Sequence, residues 1–141
     1  MIYVDAFIDK IDKMTRTGQI HAVININTEL ESISMPSVNH VPQGIIDLYC
    51  KVRSLEILNP YHFELLPIEQ FRLMNDRYLH FATINHTEKL GFDIVQKNVA
   101  GEWDIVNIDN GFLITYTLGS FLTTKIWRWI YWGKEIWREE L

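Results

Sequence analysis

Cysteine is all but missing from this chain. Cys50 is the only one, so no internal disulfide can form, and a small secreted fold held by bridges is excluded. Set in an apolar helical pattern, Cys50 reads as a buried small hydrophobe. Basic residues are also in deficit, with 13 Lys and Arg against 18 Asp and Glu and a formal charge of −5. Gripping nucleic acid by its phosphates needs a basic face, so nucleic-acid binding is not expected. No uninterrupted apolar run approaches the ~18–20 residues of a membrane span. Asp5 and Asp9 fall inside the N-terminal apolar pattern, which does not suit a signal-peptide core. The expectation is a cytoplasmic protein without a membrane anchor. The seven glycines are scattered, with no Gly-rich phosphate loop and no Gly-x-Ser-x-Gly elbow among them.

What is present is an ordinary globular composition: 141 residues, 48% hydrophobic and 22% charged, enough for one domain over 1–141 with a sizeable core. Four runs rich in Ile, Val, Thr and aromatics read as strands: Tyr78–Ile84, Leu90–Val95, Trp103–Ile108 and Phe112–Thr117. Between them lies turn chemistry: Asn85-His86-Thr87-Glu88, Gln96-Lys97-Asn98 through Gly101, and Asp109-Asn110-Gly111. Connections this short join only antiparallel neighbours, because a parallel pair needs a crossover of about a dozen residues. The centre of the chain is therefore predicted to be an antiparallel meander.

Helices flank it. Tyr3, Val4, Phe7, Ile8, Ile11 and Met14 recur at helical spacing up to Gly18. A partial alternation at Val23-Ile24-Asn25-Ile26 resembles a short strand, and Ser32 to His40 reads as a loop. Val41-Pro42-Gln43-Gly44 opens a second helix, carried by Ile45, Ile46, Leu48, Tyr49 and Val52. Leu55–Leu58 and Tyr61–Leu65 look like short strands around Asn59-Pro60. Leu66-Pro67-Ile68-Glu69 reads as the start of another short helix, with Phe71 and Met74 inward. A last helix is predicted over Leu118–Leu141, capped by Ser120, with Gly133 packed closely on the sheet. The fold class expected is α+β, an antiparallel sheet packed against N-terminal, middle and C-terminal helices.

The order of several short motifs resembles the SUKH superfamily, which contains fungal cell-wall synthesis regulators and bacterial immunity proteins encoded beside polymorphic toxins. Val41-Pro42 followed by Tyr49 resembles its Leu-Pro and helical aromatic, and Leu65-Leu66-Pro67-Ile68-Glu69 its leucine-plus-acidic helix start. Tyr78-Leu79-His80-Phe81-Ala82, Gly91-Phe92-Asp93 and Ser120-Phe121-Leu122 resemble two of its strands and its closing helix. Where the family has Asn-Gly after the Pro-containing helix, this chain has Arg53-Ser54. The resemblance implies a domain without a catalytic centre that acts by binding a partner protein. The expected role is an immunity protein that neutralises a toxin by occlusion; the alternative is a small-ligand-binding or regulatory domain using the cleft beside the sheet.

The residues themselves offer little chemistry. Five histidines include no i, i+4 pair for a helical zinc site, and His62 and Glu64 share a strand face. No catalytic residue, metal or cofactor is expected. The candidate partner-binding residues are acids at strand ends and turns: Glu88, Asp93, Glu102, Asp104 and Asp109. Against Lys89 and Lys97 they read either as a solvated rim or as a patch that steers a basic partner such as a nuclease toxin. Trp103 beside them reads equally as sheet core and as an aromatic anchor. Trp127 and Tyr131, on one side of the last helix with Lys134 and Arg138, would be covered by the N-terminal helix, by a second subunit or by the toxin. The chain would act as a monomer or homodimer.

Overall fold

In a computed structural model, which describes residues 2–27 and 40–139, the chain is an α+β fold around an eight-stranded antiparallel sheet. The Glu29–Glu31 stretch and most of the loop expected from Ser32 lie outside the described residues. Helix α1 (Ile2–Arg16) is amphipathic and buries Val4, Phe7, Ile11 and Met14. Strand β1 (His21–Ile26) follows, then α2 (Gln43–Lys51), β2 (Val52–Asn59) and β3 (Phe63–Leu65). After one 3-10 turn come β4 (Arg72–Met74), β5 (Tyr78–Ile84), β6 (Glu88–Asp93), β7 (Ile105–Asn107) and β8 (Leu113–Thr115).

The strands lie in the order β1-β2-β3-β5-β6-β7-β8, so sequential strands are neighbours. β4 shares an edge of β5 with β3: Arg72–Met74 pairs with its first half and Phe63–Leu65 with its second. Asn85 and His86, both at positive φ, turn β5 into β6 through the three-residue loop ending at Thr87, which suits the twist of a tight hairpin. The Asp109-Asn110-Gly111 break does form a hairpin, with Gly111 at φ 73°.

Two helices and one side chain depart from the sequence expectation. The helix expected after Pro67 is only the 3-10 turn Ile68–Gln70, and Phe71 leads into β4. Pairing with β5 overrides a helical preference too short to nucleate by itself. The last helix runs from α3 (Leu118–Ser120) through a π-helical stretch, Phe121–Lys125, into α4 (Ile126–Trp132). Its cap is Thr117 rather than Ser120: the Ser120 N–H donates to the Thr117 hydroxyl at 3.0 Å. It stops at Gly133, which takes φ 68° as a left-handed cap where L side chains are strained. The rest of the C-terminal segment turns back to bury Ile136 and Trp137. Finally, Cys50 is exposed, on the outer side of α2.

The core lies between one face of the sheet and the helices. Phe63, Phe81 and Phe121 meet there with Trp129, and Phe7 of α1 packs on Trp127 at 6.0 Å between ring centroids. Where α1 meets α2, Gly44 gives way to Tyr3, whose hydroxyl occupies the space a Cβ would need. Gly44→Ala is expected to cost about 1 kcal/mol, the low end for overpacking, since half-buried Tyr3 can swing outward. In a Tyr3→Phe background the same change should gain up to about 1 kcal/mol from helix propensity. Denaturant titration of the four proteins checks this reversal of sign.

Candidate functional site

The other face of the sheet carries polar side chains. Val23, Glu56, Glu64, Thr83 and Lys89 fall in one row across β1, β2, β3, β5 and β6. Glu56 and Glu64 are direct cross-strand partners. Like charges placed opposite one another destabilise a sheet, so this pair calls for something positive between them.

His62, two residues before Glu64, shares its face and supplies part of the answer. Its Nε2 stands 2.6 Å from Glu56 Oε2, and its side chain is only 12% exposed. A carboxylate accepts, so Nε2 donates this bond. Nδ1 is buried and has no hydrogen-bond partner. The His86 ring stacks on His62, with centroids 3.7 Å apart and planes 14° from parallel. One ligand atom from each of Glu56, His62 and Glu64 lies within 4.8 Å of the other two.

Toward the β4 end of the same face, His80 Nε2 donates to the Ala82 carbonyl at 2.9 Å and lies 3.1 Å from the Thr83 hydroxyl. Burial holds this imidazole below its usual range, so it is neutral at pH 7. A bulge in β5 between His80 and Ala82 turns both Phe81 and Ala82 inward while His80 and Thr83 stay outside. Below the acidic row a groove of about 360 Å³ is lined by Asn25, Ser54, Glu56, Glu64 and Glu69, the last paired with Arg53 at 2.6 Å.

Most of the residues picked from the sequence as a partner surface hold the chain together instead. Trp103 is buried against Phe92, with ring centroids 6.1 Å apart, so it is sheet core and not an anchor. Asp93 takes both Nε and Nη2 of Arg77, at 3.0 and 2.8 Å. Glu102 accepts the Leu118 N–H at 3.1 Å, where a negative charge favours the start of the last helix. Asp104 accepts from Asn98, whose own carbonyl oxygen takes the N–H groups of Ala100 and Glu102. Glu88 is half-buried and Asp109 exposed.

On the last helix, Trp127 is buried under α1, with Lys10 Nζ 4.2 Å from its ring centroid and its indole N–H on the Leu122 carbonyl. Of the three covers considered for it, the N-terminal helix is the one present. Tyr131 is 48% exposed and its hydroxyl donates to Met14 Sδ. Lys134 and Arg138 lie beyond the helix and line a groove of about 410 Å³ with Lys125 and Arg128. The sequence reading passed over Trp132, 78% exposed at the end of α4. It also missed Glu56, whose place beside His62 and Glu64 follows from strand register alone.

The architecture and this surface define an antiparallel α+β domain with one helix-covered and one polar sheet face. No family model, characterised protein or solved structure matches the chain.

Proposed function

We propose that this chain is a non-catalytic protein-binding module, of the SUKH immunity type, which neutralises a toxin by occluding it. The observation that carries the reading is Trp132. It is a large aromatic held outward on a helix whose inner side, Trp129 and Ile130, is anchored in the core. Beside it, Tyr131 adds a second exposed aromatic on the same turn. Rigidly presented Trp and Tyr side chains are the residue types that dominate binding energy at protein interfaces. The net charge of −5 favours a basic partner and speeds its approach at low salt.

The test is to co-express the chain with the variable toxin domain encoded by the adjacent gene. Growth rescue and a stable complex are expected, and Trp132→Ala should weaken that complex about tenfold or more without changing stability. Failure of the intact chain to bind or protect would reject the reading. Full affinity in Trp132→Ala would move the interface away from the end of α4.

A further inference from the structure

We propose that Glu56, His62 and Glu64 form a binding site for a first-row transition-metal dication, with zinc the best fit. The inference stands apart from the protein-binding reading and rests on the opposite, polar face of the sheet. Its first support is the pairing of two glutamates in register on neighbouring interior strands, an arrangement that repels itself until a cation enters. Arg53, the cation in the adjoining groove, is engaged by Glu69, and Lys89 lies two strands from Glu64 in the same row. A dication between the two carboxylates balances their charge.

The second support is geometric. The three ligand atoms lie within 4.8 Å of one another, and donors on one tetrahedral ion at about 2.0–2.2 Å stand roughly 3.5 Å apart, so the His62–Glu56 contact of 2.6 Å opens while Glu64 moves in. His62 is the fixed member, 12% exposed and held under His86. Glu56 is 40% exposed and has the freedom to make the adjustment. A third point is the ring itself: its buried Nδ1 has no hydrogen-bond partner among the described residues, so His62 is held by packing and by Glu56 alone. His86, placed by the β5–β6 turn, lays its ring over His62 and covers it.

The donor set chooses among ions. An imidazole nitrogen with two carboxylates suits zinc, cobalt or manganese, whereas magnesium and calcium prefer oxygen alone. Three protein donors would leave a fourth tetrahedral position open to water.

The experiment is calorimetric titration of ZnCl2 into untagged protein, with MgCl2 as a control and Glu64→Gln, His62→Asn and His21→Gln as variants. One zinc per chain is expected, with no heat from magnesium. Glu64→Gln, on the half-exposed side chain, should weaken zinc about 100-fold or abolish binding, and His62→Asn should do the same. His21→Gln, an exposed histidine at the start of β1, should leave the affinity unchanged. Should His62→Asn fail to fold, Glu64→Gln decides alone. No zinc binding at micromolar concentrations, or binding that survives Glu64→Gln, would overturn the proposal.

Discussion

Trp129→Ala is expected to destabilise the protein by about 3–5 kcal/mol, the cost of deleting a large buried aromatic and leaving a cavity. Trp129 is fully buried and sits at the meeting point of three otherwise separate pieces. Its ring stacks on Tyr61 at 5.4 Å, meets Phe63 of β3 at 6.4 Å and stands edge-on to Trp137 at 6.0 Å. The β2–β3 turn, the sheet and the C-terminal segment all lose their common neighbour. Thermal unfolding should show a fall of roughly 10 °C or more. Trp132→Ala, three residues along the same helix, removes an exposed ring and should stay within about 0.5 kcal/mol of the native protein. Equal losses in the two variants would mean that α4 is not oriented as described.

Asn107 carries the second large effect. It is one of the few buried polar side chains, and its Nδ2 donates to the Trp137 carbonyl at 2.9 Å. Its Oδ1 accepts the Asp109 N–H at 3.0 Å. Asn107→Ala leaves both backbone groups without partners and should cost about 1–3 kcal/mol. Asn107→Asp should cost more. It keeps the shape and the acceptor, but at neutral pH it sets a negative oxygen against the Trp137 carbonyl, where a donor is required. Because this bond pins the chain after the helix, either variant should make Lys134 and Arg138 more susceptible to trypsin. Unchanged cleavage there would show that the segment is held by Ile136 and Trp137 alone.

The sequence was most informative where structure is local. Tyr78–Ile84 was bounded correctly because alternation and the Asn85-His86 turn lie within nine residues of each other. α1 and α2 were legible for the same reason, since a stripe at three- and four-residue spacing needs no distant partner. Trp103–Ile108 was drawn longer than the strand Ile105–Asn107, although the Asp104 carbonyl and the Ile108 N–H still bond to Asp93 and Lys89 at the ends of β6. The helix expected to Leu141 stops at Trp132. Its apolar stripe continues through Ile136 and Trp137, but Gly133 turns the chain and buries both by another route.

The candidate sites divide along the same line. That His62 and Glu64 share a face followed from a strand period of two. That Glu56 joins them required the register of β2 on β3, set by how the chain turns at Asn59-Pro60. The acids from Asp93 to Asp104 looked like a free rim because their partners, Arg77, Leu118 and Asn98, are supplied by loop geometry and packing.

Composition, periodicity and turn residues alone determined the fold class and the antiparallel order of the strands from Tyr78 to Thr117. Each depends only on residues a few positions apart. Only the tertiary structure decided which tryptophan faces water and which glutamates face each other. Those outcomes depend on pairing and packing between segments far apart in the chain, where burial and register outweigh any local preference.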